Sequence, residues 1–231
     1  MKIKIDFIDS VMDFDISNIY SFEIHNKKYL YRISSLFYSV CNGDLSEELD
    51  CFDNDNNEVK LTNKIRMFSE YFDFGFDSKK YSTDITKYIL SNIEQYDSEN
   101  ILKVYSKLCK LVDNELEKTE LPISVSIDEG IENVIKIFKL KINQKDDLLD
   151  NLLLIIDLEC ALNTNKILCF INLKQYLTKE ELLEFYKYAT YNSIKLIMIE
   201  STKYDYLNDY ENIIIIDKSL DEIMIYYEQM K

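Results

Sequence analysis

Ile167-Leu168-Cys169-Phe170-Ile171, then Thr178-Lys179-Glu180-Glu181, then Ile194-Lys195-Leu196-Ile197-Met198-Ile199-Glu200 and finally Ile213-Ile214-Ile215-Ile216-Asp217 decide the fold class. The first, third and last are short apolar runs, the pattern of strands buried on both faces. Between them Thr178 stands three residues before Glu181, a capping box that opens a helix. Strand, helix and strand joined over roughly twenty residues make a βαβ unit, which requires a parallel sheet. The chain is therefore read as α/β, with a helix expected to follow over 219–230.

Working outward, 146–162 carries Leu148, Leu149, Leu152, Leu153 and Ile156 at helical spacing. Ahead of it, 121–126 reads as a short strand, and Asp128-Glu129 as the start of a helix to about Leu140. Residues 78–118 hold two helical patterns with a short joint, the first capped within Ser82-Thr83-Asp84 and the second starting at Asp97-Ser98-Glu99, so they form a helical hairpin. The N-terminal part is different. Ile3-Ile5-Phe7 and Ile19–Ile24 alternate as strands. Residues 27–41 form a helical stripe stopped by Asn42-Gly43, and 59–74 are strand-like up to Gly75. Between them, 44–58 has seven acids and no base, the pattern of an exposed loop. The organisation expected is an α/β head from 1–77 and 163–231, with a mainly helical leg, 78–162, inserted into it.

The chain has 231 residues, 47% of them hydrophobic, with 18 Tyr and 12 Phe, which suffices for a packed core. It carries 42 Asp plus Glu against 27 Lys plus Arg, a net charge of −15. That balance excludes a globally basic nucleic-acid binder but leaves room for a local basic face. No apolar run reaches the roughly 20 residues of a membrane span, and the N-terminus lacks the apolar block of a signal peptide. A soluble, cytoplasmic protein is expected. Five cysteines without a C-x-x-C read as buried reduced thiols.

Three glycines, at 43, 75 and 130, leave no phosphate-cradling loop and no dinucleotide turn. A single histidine, His25, excludes His-rich zinc sites and reads as a solvated strand-end residue. Asp53-Asn54-Asp55-Asn56-Asn57 imitates the start of a calcium loop, but Glu58 and Lys64 occupy the positions of its Gly and bidentate Glu. Glu200 and Asp217 end two strands where open α/β sheets place ligands, so together they are candidate Mg2+ ligands for a nuclease or nucleotide hydrolase. Against the acidic background, Lys136, Lys139, Lys141 and Lys145 cluster in 131–145 with Glu132 as the only acid before Asp146. Lys79, Lys80 and Lys87 form a second basic group. Either group serves as a phosphate-tracking stripe if several copies assemble.

Asn165–Asn172, Tyr176–Glu181, Ile194–Glu200 and the Tyr204/Tyr206 segment before Ile213–Asp217 together resemble the adaptation protein of type II-A CRISPR systems. This is the ring-forming family that binds double-stranded DNA ends during spacer acquisition. The resemblance implies a head similar to a P-loop ATPase that has lost its nucleotide loop, with an inserted helical leg. It implies a homotetramer whose basic channel holds linear duplex DNA, Ca2+ held by acids, and no catalytic activity. It also implies work alongside the CRISPR integrase complex and the RNA-guided effector nuclease, away from membranes. Carried across by position, Lys136 and Lys141 fall at channel-side bases, and Asp128 and Glu129 at the metal-binding stretch. The competing readings are the metal-dependent hydrolase above and an acidic module that binds only proteins.

Overall fold

The computed structural model describes residues 1–55, 57–62, 64–76, 79–93, 95–118, 135, 142–204, 207 and 209–226. The chain divides into two compact units, one of Met1–Phe74 with Gln144–Lys231 and the other of Gly75–Asn143.

The larger unit is built on a six-stranded sheet. Its strands are β3 (Ile19–Ile24), β5 (Ile65–Phe68), β6 (Ile167–Ile171), β7 (Lys195–Glu200), β8 (Asn212–Ile216) and β9 (Glu222–Ile225), in the order β5-β6-β7-β3-β8-β9. All neighbours are parallel except β8 and β9. A smaller antiparallel sheet joins β2 (Val11–Asp13), β1 (Lys2–Ile5) and β4 (Leu49–Phe52) in that order. Side-chain alternation assigns each face of the large sheet its own core. Tyr20, Phe22, Cys169, Ile197, Ile199 and Ile214 meet Ile33, Phe37 and Val40 of α1 (Lys27–Cys41) and the inner residues of the small sheet. On the other face Phe170 stacks on Phe68 at 5.0 Å and meets the edge of Phe185 from α5 (Lys179–Tyr191) at 5.6 Å. Burial on both faces explains why Leu196–Glu200 has no exposed position. Each fully buried aliphatic side chain here contributes roughly 1.5–3 kcal/mol.

The βαβ reading and the capping box both hold. Thr178 N–H donates to Glu181 Oε2 at 2.7 Å, and Glu181 N–H returns a bond to Thr178 Oγ1 at 3.2 Å. Sequence reading differs from structure at four places in this unit. Residues 219–226 form no helix: β9 closes a hairpin on β8. Asp217 Oδ1 accepts the Ser219 and Asp221 N–H groups to shape the turn, and the Glu222 carboxylate accepts those of Asp9 and Ser10, which ties the edge strand down. The acidic 44–58 segment contains β4, because Leu49 and Cys51 alternate inward and outweigh the local charge. Among the described residues of 59–74, only Ile65–Phe68 is a strand. Helix α4 (Leu148–Ala161), grouped with the leg on sequence, packs in the larger unit. Its Glu159 holds Arg66 of β5 in a buried ion pair at 3.1 Å, a contact between residues 93 positions apart that no local pattern reveals.

The second unit contains α2 (Lys79–Asn92) and α3 (Gln95–Glu117), the expected pair of successive helices. The strand expected at 121–126 and the helix expected from Asp128 lie outside the described residues, apart from Ile135, which is helical and buried. The five cysteines form no disulfide; Cys41, Cys51 and Cys169 are buried, whereas Cys109 is half-buried and Cys160 exposed. Cys160 sits on the outer side of α4, so its apolar neighbours in sequence do not cover it. Among the described residues no helix is long and apolar enough to cross a membrane.

Candidate functional site

In an open parallel sheet the carboxyl ends of the central strands gather side chains from distant parts of the chain. Here β3 lies between β7 and β8, and its register sets Glu23 directly beside Glu200. Both are buried, at 3% and 1% exposure. His25 Nε2 lies 2.6 Å from Glu23 Oε1, so the histidine is a partner of the strand-end acid and not merely solvated. Lys174, just past β6, donates its N–H to Glu200 Oε1 at 3.2 Å and its ammonium to Glu211 Oε2 at 2.6 Å. Tyr186 O–H donates to the same Glu211 oxygen at 3.0 Å, and Leu207 N–H to the other at 3.2 Å. Asn172, with φ at +53°, accepts the Ser201 N–H.

Burial raises Glu200 from the ordinary carboxylate value of 4.5 to about 7; the Lys174 N–H and ammonium pull it down, and Glu211 pushes it up. Burial likewise raises the Tyr186 phenol, with the Glu211 charge adding to it. Because folding raises the Glu200 pKa, the folded state holds its proton more tightly than the unfolded one. Its stabilising contribution is complete below pH 4.5 and is lost as pH rises through about 7, by at most about 3 kcal/mol. Glu200→Gln is isosteric and cannot ionise. Urea unfolding of both proteins at pH 5 and pH 8 should show the wild type losing stability relative to the variant. Parallel pH profiles would show that Glu200 stays ionised throughout.

The Mg2+-binding pair considered above is not assembled. Glu200 and Asp217 belong to β7 and the end of β8, with β3 between them; Glu200 is enclosed and Asp217 shapes the β8–β9 turn. The Asp53 carboxylate is similarly committed: it accepts the Asp55 and Asn57 N–H groups and the Asn57 amide, and the Asn57 backbone bond is the main cause of its lowered pKa. The calcium-loop mimic is a tight turn.

Of the basic candidates, Lys87 on α2 and Lys145 before α4 are exposed, and Lys145 N–H is held by the Asn151 side chain. Lys79 and Lys80 are the first two residues of α2, and Lys80 stands two turns before Lys87. Lys136, Lys139 and Lys141 lie outside the described residues, as do Asp128 and Glu129. Among the described residues no group of three or more His, Cys, Asp or Glu side chains is placed to hold a metal ion. Glu23, Lys174 and Glu211 escaped the sequence reading. The one local signal was an acid, Glu23, inside a mainly apolar strand, Ile19–Ile24.

The junction between β3 and α1 is the place in this sheet to compare with a phosphate-binding loop. A P-loop protein places a glycine-rich loop between a strand and a helix. This junction consists of His25 and Asn26 alone, and Asn26 Oδ1 accepts the Lys28 and Tyr29 N–H groups at 3.0 and 3.3 Å. Two of the amides at the start of α1 therefore already have a partner. A family model described as CRISPR-associated protein (Cas_Csn2) matches residues 42–220. The chain belongs to this family of type II-A CRISPR spacer-acquisition proteins. The Cas_Csn2 match runs from the end of α1 through β4 to β8 and includes the whole of Gly75–Asn143. A comparison with curated proteins finds no match.

Proposed function

We propose that the chain is a non-catalytic, Ca2+-supported subunit of a homotetrameric ring that holds the ends of linear double-stranded DNA during CRISPR spacer acquisition. In this reading it serves the integrase complex and the RNA-guided effector nuclease. The carrying observation is membership of the Cas_Csn2 family over residues 42–220. A head derived from a P-loop ATPase is supported by a parallel sheet whose central strand runs directly into a helix. Loss of nucleotide chemistry is supported by the two-residue β3–α1 junction and its asparagine cap. Lysines in a channel bind backbone phosphates without regard to sequence, and salt weakens that binding steeply. Asp128 and Glu129 supply hard carboxylate oxygens of the type Ca2+ prefers, and a cation between acids relieves their repulsion in a chain of −15.

A band shift with linear and closed circular duplex, each with Ca2+ and with chelator, tests the reading. Only linear DNA should shift, it should remain uncut, and sedimentation in Ca2+ should give a tetramer. A monomer under both conditions, or cleavage with Mg2+, would overturn the reading. Asp128→Ala with Glu129→Ala should weaken assembly and abolish its response to Ca2+. A double variant that assembles on Ca2+ addition like the wild type would exclude these acids as ligands.

A further inference from the structure

Within the larger unit, a cavity of about 500 Å3 opens between the segment that carries β2 and the β8–β9 corner of the large sheet. Its volume is that of a small-molecule site. Both ends are acidic. At one, Glu222 opens β9 beside Asp9. At the other, Asp13 is held to Tyr20, whose hydroxyl accepts the Asp13 N–H and donates to the Asp13 carbonyl, each at 2.8 Å, with Tyr226 close by. Strand β9, four residues long, runs about 13 Å between the two ends. The middle is apolar: Val11 of β2 and Met224 of β9 line it. Val11 and Tyr226 are large apolar side chains left 37% and 63% exposed. None of the described lining residues is basic, and Lys2, 3.6 Å from Asp13 Oδ2, is not among them. Glu222 is fixed in advance, because Oε2 accepts the Asp9 N–H at 2.8 Å and Oε1 the Ser10 N–H at 2.7 Å. Each oxygen retains a second lone pair, so a rigid carboxylate is presented with acceptor capacity to spare.

We infer that this cavity binds a linear aliphatic polyamine, with an ammonium at each acidic end and the methylene chain against Val11 and Met224. An acid–apolar–acid order along one strand complements a chain that is charged at both ends and apolar between them. A nucleotide or other anion would meet three carboxylates and no base. A metal ion would leave the apolar middle against water, and no three acids among the described residues converge on one point. This site is independent of the reading of the chain as a DNA-end binder.

Isothermal titration calorimetry of the full chain with spermidine, in the absence of DNA, tests the inference. Octylamine is the control, since it keeps an apolar chain but has a single charge. Spermidine should bind at one site per chain, more weakly as salt rises, and at least about tenfold more tightly than octylamine. Asp9→Asn with Asp13→Asn should weaken spermidine binding by at least about tenfold. Glu180→Gln with Glu184→Gln removes the same charge from exposed positions on α5 and should leave it unchanged. Val11→Lys places a resident ammonium in the middle of the cavity. It should abolish binding with little change in thermal unfolding, because the site is exposed. Absence of saturable spermidine binding, or octylamine binding equally well, would overturn the inference. So would equal losses in the two paired variants, the mark of diffuse attraction to a chain of −15. A Lys-Gly-Gly-Lys peptide that binds more tightly than spermidine would overturn it too, and would assign the cavity to a basic segment of another protein.

Discussion

Glu211→Ala should destabilise the larger unit by about 3–5 kcal/mol, enough to remove a third or more of a typical domain's stability. Glu211 is fully enclosed and accepts from the Lys174 ammonium, the Tyr186 hydroxyl and the Leu207 N–H. Alanine strands all three donors at once, and the Lys174 side chain, at 3% exposure, has no route to water. The loss is therefore dominated by an uncompensated buried cation, beyond the ordinary deficit of a missing hydrogen bond. Lys174→Met with Glu211→Leu replaces the pair by apolar groups of similar volume and should recover most of that loss. Urea unfolding of the two variants measures the difference. A Glu211→Ala protein within about 1 kcal/mol of wild type would show that water reaches the cluster.

The largest functional effect is expected from Lys136→Glu with Lys141→Glu, which should abolish binding of linear duplex at moderate salt. These residues are two of the four lysines in the most basic stretch of an acidic chain. On the proposed reading, every phosphate left without its lysine reduces the steepness of log K against log salt by about 0.9, and a symmetric ring would repeat the deficit in every copy. Reversal of charge adds repulsion to the missing attraction. On this reading the two lysines serve DNA and not the fold, so circular dichroism and sedimentation mass should match the wild type. A folded, tetrameric double variant that binds DNA with full affinity and an unchanged salt slope would move the channel lining to Lys79, Lys80 and Lys87.

Legibility in this sequence follows the range of the interactions. The runs at 167–171, 195–200 and 212–216, the capping box and the helix over Lys27–Cys41 are each fixed by side chains a few residues apart, and a periodic reading finds them. The order of the sheet is not local. Nothing within Ile19–Ile24 announces that its neighbours are Leu196 and Asn212, so neither the Glu23–Glu200 juxtaposition nor the enclosure of Glu211 was readable. Glu200 was found as a strand-end acid, but its burial depends on Lys174 and on the packing of α5. The hairpin at Asp217–Glu222 was hidden for a related reason: β9 is a strand because β8 offers it an edge and Asp9 and Ser10 hold its carboxylate.

The central position of β3 also governs how the chain is made. A strand complete by residue 24 finds its two neighbours only after residues 195–200 and 212–216 have been synthesised. Until then the first 74 residues can form α1 and the small sheet, which cover Tyr20, Phe22 and Ile24 on one face, but both backbone edges of β3 lack their partners. Pairings that span nearly two hundred residues carry a heavy loop-closure entropy, so assembly of the head is slow by the measure of contact order. Helices α2 and α3, whose backbone hydrogen bonds are local, emerge in the interval and need no such distant partner strand. For most of translation β3 keeps two unpaired hydrogen-bonding edges, the feature that makes partly folded chains prone to aggregate.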